Sequence, residues 1–168
     1  MGKIKLGISS CLLGENVRYD GGHKLDLFLK DTLGTFVEYM PVCPEVECGL
    51  GVPRELMRLE GDPENPRLVT IGCNLDQTDL LVNWVRKRVA ELAAENLRGF
   101  VFKRNSPSCG IERVKVYNEK GMAADAAIGI FAQIFIERFP ELPVEDEGRL
   151  QDPKLREKFI ERVFTVKT

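Results

Sequence analysis

Residues 99–110 read GFVFKRNSPSCG: a near-continuous apolar run, two cations, then a polar, proline-containing loop that ends in a cysteine and a glycine. An apolar run without polar alternation is what a central strand of a parallel sheet requires, because both of its faces are buried. Working outward, KIKLGIS (3–9) and FVEYMPVC (36–43) read as two further strands, the second stopped by Pro44. Residues 76–97 carry the clearest helical period, with Leu81, Val85, Val89 and Leu92 on one face and Asp76 placed to cap it. Shorter helices are expected over 24–33 and over 153–163, where Pro153 suits a first turn. Residues 122–139, rich in Ala, Ile and Phe, read as a second long helix stopped by Pro140. VKVYNEKG (114–121) reads as a short strand and turn, and LPVEDEGRL (142–150) as a last strand or extended segment. Residues 44–67, dense in Pro and Gly, read as one long loop, and loops of that length in small domains are usually functional. Strands alternating with helices define an α/β chain. The expectation is a single domain over 1–168 with a mostly parallel sheet flanked by helices, a Rossmann-like three-layer arrangement.

Composition narrows the partners. The net charge is −2 and 43% of residues are apolar, so nothing in the charge balance points to nucleic acid as a main partner. No apolar run approaches the roughly 20 residues that a membrane span needs. The first ten residues, MGKIKLGISS, lack the apolar core and cleavage site of a secretory signal, so a cytoplasmic protein is expected. Five cysteines in a reducing compartment then call for metal binding or catalysis rather than disulfides, and the odd number agrees.

In parallel α/β sheets, ligands bind beyond the carboxyl ends of the strands. The first strand runs into Cys11, the second into Cys43, and the third into the loop holding Cys109. Three strands would therefore deliver three thiols to one sheet edge. Thiolates select zinc, copper(I) or iron–sulfur clusters. No CxxC knuckle is present and His23 is the sole histidine, so zinc is not signalled. Cys48 stands five residues after Cys43 as a possible alternative or fourth ligand, whereas Cys73 reads as an ordinary buried thiol.

Three segments, SSCLLGENVRYDGGH (9–23), VCPEVECGLGVPR (42–54) and KRNSPSCG (103–110), resemble the thiouracil desulfidase family, long catalogued as a bacterial domain of unknown function. The resemblance runs over roughly residues 3–140, with the motifs in the family's order. It implies removal of sulfur from thiolated pyrimidines by a 4Fe-4S cluster with three cysteine ligands, here Cys11, Cys43 and Cys109, and one open iron. It also implies that the cluster is fragile to aerobic purification. Glu45 and Ser106 are the catalytic residues the resemblance implies, and a small thiolated heterocycle is the implied partner. Cys48 lies outside the family pattern and leaves open whether it replaces or supplements Cys43. A single-domain form, without the C-terminal domain fused to some relatives, is expected.

On this reading Glu45 deprotonates the attacking water or passes a proton to the ring. Ser108 reads as structural. Arg18 could pair with Asp20 or Glu45, Lys103 could balance cluster charge, and His23 reads as a loop residue. Two other classes remain: a metal or redox module without catalysis, and metal-free cysteine catalysis, which one histidine in a glycine turn supports poorly. Oligomeric state is not written in the sequence.

Overall fold

The computed structural model describes residues 2–165. In chain order its strands are β1 (Ile4–Ser9), β2 (Val37–Val42), β3 (Met57–Glu60), β4 (Arg67–Thr70), β5 (Leu97–Phe102), β6 (Val114–Tyr117), β7 (Ala123–Ala127) and β8 (Val144–Asp146). Its helices are α1 (Pro44–Glu47), α2 (Thr78–Leu92), α3 (Ile130–Arg138) and α4 (Pro153–Thr165). The termini of the expected 1–168 domain, residue 1 and residues 166–168, lie outside the described residues.

The main sheet has the order β2-β1-β5-β8 and is parallel throughout. Its central strands β1 and β5 are largely buried on both faces, as the apolar run in β5 required, whereas the edge strand β2 exposes Glu38 and Pro41. Phe100 and Phe102 point to one face, where they meet Phe131 and Phe135 of α3 at ring distances of 5.0–5.7 Å. Leu81, Val85, Val89 and Leu92 of α2 close the same core. Leu6, Ile8 and Val101 point to the other face, against Leu12, Leu29, Phe159 and Val163. Two apolar layers therefore separate one sheet from helices on both sides, which is the expected three-layer α/β arrangement.

A second sheet, order β4-β3-β6-β7, was not foreseen. It joins β3 and β6 in parallel and is otherwise antiparallel. Met57, Leu59, Leu68, Val114 and Val116 tie it into the α2–α3 core. It corrects two expectations. Residues 44–67 are not one loop, since they hold α1 and β3 and the start of β4. Residues 123–127 are strand rather than helix, because pairing with β6 overrides the helical preference of alanine, and α3 begins only at Ile130.

Smaller differences concern ends. The expected helix over 24–33 is only a π-helical turn, Phe28–Thr32, followed by a 3-10 turn, Leu33–Thr35. The helix expected over 76–97 spans Thr78–Leu92, and Asn96 then takes a left-handed φ of 56° at the turn into β5. The N-cap is Gln77 rather than the expected Asp76, which stands one residue earlier and accepts the Thr78 N–H at 2.9 Å.

Registers of Ser9 with Val42 and of Ile8 with Val101 bring β1, β2 and β5 to an almost level carboxyl edge. The chain runs from β1 to β2 on one side and returns to β5 on the other. This is the reversal of strand order at which open α/β sheets bind ligands.

Candidate active site

The three segments that leave this edge carry the three expected thiols. Cys11 lies in the 3-10 turn Ser10–Leu13 that follows β1 directly, and its carbonyl accepts the N–H groups of Gly14 and Lys24. Gly14 closes the turn with a φ of 91°, a conformation that glycine adopts without steric cost. Cys43 follows β2 and precedes Pro44, the first residue of α1. Its backbone N–H donates to Glu47 Oε2 at 2.8 Å, which fixes the start of that short helix. Cys109 sits in a turn after β5, where its N–H donates to Ser106 Oγ at 3.0 Å.

All three thiols line one cavity of about 60 Å³, together with Glu45, Ser106, Ser108, Arg18, Arg54 and Lys103. A larger cavity of about 430 Å³ adjoins it and shares Arg18, Glu45, Arg54, Lys103 and Ser106 as a common wall. Cys48 is not part of either wall. It ends α1, directs its sulfur to the Glu45 carbonyl at 3.4 Å, and packs against the α2–α3 core. Cys73 is exposed in the turn after β4, not buried as its sequence context suggested.

Burial dominates the electrostatics of the thiols. It pushes Cys11 up to about 11, against the opposing pull of Lys103 and Arg18. Burial likewise pushes Cys43 up, and Cys109 further, with Cys43 and Cys11 adding to the effect on Cys109. Burial thus raises all three thiols above their ordinary value. A bound metal centre reverses that logic, since its positive charge deprotonates coordinating thiols and offsets their desolvation. Soft donors from three segments, in a wall that also holds three cations, suit an anionic iron–sulfur cluster. Among the described residues, no three Cys, His, Asp or Glu side chains gather tightly enough for a single metal ion. In a cluster each cysteine binds a different iron, so its ligands stand further apart than those of one zinc.

Both carboxylate oxygens of Glu45 are held. Arg54 Nε donates to its Oε1 at 3.0 Å, and Ser108 Oγ donates to its Oε2 at 2.8 Å. Arg54 is itself anchored, giving Nη1 hydrogen bonds of 2.9 Å to the carbonyls of Val17 and Gly51. The arginine therefore stitches the segment after Cys11 to the segment after Cys43.

Sequence reasoning gave Arg54 no role, although it closes the motif that contains Glu45. The opposite charge nine residues away within the same motif was the signal that could have found it. Arg18, the expected partner of Glu45 or Asp20, instead lies over the Tyr19 ring at 5.9 Å and faces both cavities. Asp20 accepts the Gly22 N–H and shapes the turn, and His23 accepts the Leu25 N–H, so both are loop residues. Lys103 pairs with Glu147 at 2.6 Å while still facing both cavities.

The two serines divide their work differently from expectation. Ser106 Oγ accepts the N–H groups of Ser108 and Cys109 and builds the turn, yet it also faces both cavities. Ser108, read as structural, is the one that contacts Glu45.

A parallel α/β fold with a thiol-lined cavity at its strand-order reversal, a clamped carboxylate and two hydroxyls defines an enzyme of carbon–sulfur bond cleavage once its relatives are set beside it. The model of the 2-thiouracil desulfurase family matches residues 6–147, and the chain belongs to that family. Among solved structures, a [4Fe-4S]-dependent thiouracil desulfidase, TudS, is similar with a TM-score of 0.71 and 31% identity, covering 95% of this chain and 99% of that one. An uncharacterized Bacillus subtilis protein, YbbK, is 30% identical over 108 residues, covering 61% of this chain and 71% of that protein.

Proposed function

We propose that this chain hydrolyses the thiocarbonyl of a small thiolated pyrimidine, releasing uracil-type product and sulfide, with a 4Fe-4S cluster held by Cys11, Cys43 and Cys109. The observation that carries the reading is the convergence of these thiols, from three parallel strand ends, on one cavity whose wall also holds Glu45 and Ser106. When bound, the cluster supplies an open iron that polarises the carbon–sulfur bond as a Lewis acid. With Cys48 directed away from the cavity, Cys43 is the ligand of choice from that segment.

The protein's own residues supply the rest. The neighbouring cavity of about 430 Å³ is large enough for a heterocycle and lies across Glu45 from the thiols. Arg54 and Ser108 hold Glu45 in one orientation at the cavity wall, where it serves as the final acceptor of the proton that the attacking water gives up. Arg18 offsets the negative charge of a thiolate-bound cluster and of departing sulfide, whereas the charge of Lys103 is already balanced by Glu147. Sulfur leaves as sulfide, so no net electron transfer is required.

One domain, a reducing cytoplasmic setting and no nucleic-acid partner complete the proposal. All five cysteines are free, and among the described residues no helix is long and apolar enough to cross a membrane. The test is anaerobic reconstitution followed by incubation with 2-thiouracil. Release of uracil and sulfide in equal amounts supports the reading, and an iron-loaded protein that leaves thiouracil intact refutes it.

A further inference from the structure

Glu45 and Ser106 are the two side chains the family resemblance makes catalytic, yet among the described residues no hydrogen bond joins them. Each contacts Ser108 instead: Ser106 Oγ lies 3.1 Å from Ser108 Oγ, and Ser108 Oγ lies 2.8 Å from Glu45 Oε2. Lone-pair counting sets the direction of the chain. A serine hydroxyl has one proton and two acceptor sites. Ser106 Oγ already accepts two amides, Ser108 N–H at 3.2 Å and Cys109 N–H at 3.0 Å. Its own proton is what remains, and it points to Ser108 Oγ. The Ser108 proton is then free for Glu45, a far better acceptor than Cys109 Sγ at 3.9 Å. Arg54 holds the opposite oxygen of Glu45. Ser108 is 1% exposed, so bulk water does not interrupt the chain.

We infer that Ser108 is a proton relay that makes Ser106, Ser108 and Glu45 one unit. The inference rests on the desulfidase reading and deepens it. In the step, the Ser106 O–H bond breaks as its proton passes to Ser108 Oγ, and the Ser108 proton passes to Glu45 Oε2. The two amides at Ser106 Oγ take up the developing negative charge, as donors in an oxyanion hole do. A water in the adjoining cavity then gives its proton to Ser106 Oγ while its oxygen bonds to the ring carbon. The net change is one proton moved from water to Glu45. As the carbon–sulfur bond breaks, its electron pair leaves with sulfur, and reversal of the relay returns that proton to the sulfur as hydrosulfide. The hydroxyl on the ring carbon releases its own proton to solvent as the carbonyl forms.

The test compares Ser108→Ala, Ser106→Ala and the double variant with the wild type, each loaded with iron anaerobically. Ser108→Ala is expected to keep its iron content and its KM for thiouracil within about twofold. Its kcat should fall about 100-fold, with a changed solvent deuterium isotope effect. The double variant should lose no more than either single one, because a unit fails once. Ser108→Thr, which keeps the hydroxyl, should recover most of the rate. Full kcat in iron-loaded Ser108→Ala, or losses that multiply in the double variant, overturns the relay.

A second readout needs no cluster. The infrared carboxylate band of isotope-labelled glutamate in metal-free protein should shift in Ser108→Ala and return in Ser108→Thr, and an unchanged band also overturns the relay. Iron-loaded wild type that leaves thiouracil intact while this band shifts as expected contradicts the desulfidase reading alone and still supports the hydroxyl chain.

Discussion

Replacing Arg54 by Met removes the guanidinium and keeps most of the side-chain volume. Three acceptors lose their donor at once: Glu45 Oε1 and the carbonyls of Val17 and Gly51. The Arg54 and Glu45 side chains are only 9% and 15% exposed, so water replaces little of what is lost. Breaking one partner out of a buried ion pair costs about 3–5 kcal/mol, and residual exposure argues for the lower end, about 3 kcal/mol. With a urea dependence of about 2 kcal/mol per molar for a chain of this size, the unfolding midpoint should fall by about 1.5 M. Far-ultraviolet circular dichroism of the metal-free protein measures this directly. The double variant Arg54→Met/Glu45→Gln should lose less than the sum of the two single losses, because removing the charge removes the reason for the penalty. A midpoint shift below about 0.3 M in Arg54→Met would show that Glu45 is not held as described.

Gly129 precedes α3, and a Cβ there would lie 2.6–2.8 Å from backbone atoms of Ser108 and Cys109. Backbone cannot yield as a side-chain tip can, so Gly129→Ala should displace the cysteine-bearing turn and lower iron uptake at least several-fold, measured as iron per chain. At Asp76 burial raises the carboxyl, but hydrogen bonds from Arg67 and Thr78 outweigh it and bring the group down to about 2. A folded-state value below the ordinary one near 4 stabilises the protein above about pH 4, and that contribution fades as pH falls toward 2. The Arg67–Asp76 pair is nearly half exposed, so Asp76→Asn should cost no more than about 1 kcal/mol at pH 7. The gap between the two urea midpoints should close in acid, and a gap that stays constant contradicts the assignment.

The main sheet was legible because its signal is local. β5 is an apolar run that fills both faces, β1 and β2 are short extended runs rich in apolar residues, α2 keeps one stripe, and each of the three strands leads into a segment that carries a cysteine. The second sheet was not. Only β6 had a local signal, the strand expected at VKVY; β3 and β4 have four residues each, and β3 meets β6 across more than fifty positions of chain. β7 is AADAA, whose alanines favour helix in isolation, and only the partner strand makes it extended.

At the site, Glu45 and Ser106 were reached only through the resemblance of their motifs, whereas residue type and strand-end position indicated the three thiols, because soft donors have chemical meaning before folding. Arg54 and Ser108 gain theirs from contacts made across 9 and 63 residues of chain. Cys48 was ambiguous for the same reason: in sequence it is as near to Cys43 as a ligand needs to be. The turn of α1 carries its sulfur to the Glu45 carbonyl and the core instead.

Iron and acid-labile sulfide per chain after anaerobic reconstitution test the central claim most directly. About four of each are expected in the wild type, with a broad visible absorption. The same values are expected in Cys48→Ala, with near-complete loss in Cys11→Ala, Cys43→Ala and Cys109→Ala. No iron uptake by the wild type, or full uptake by any of those last three variants, would contradict a cluster held by the three strand-end thiols.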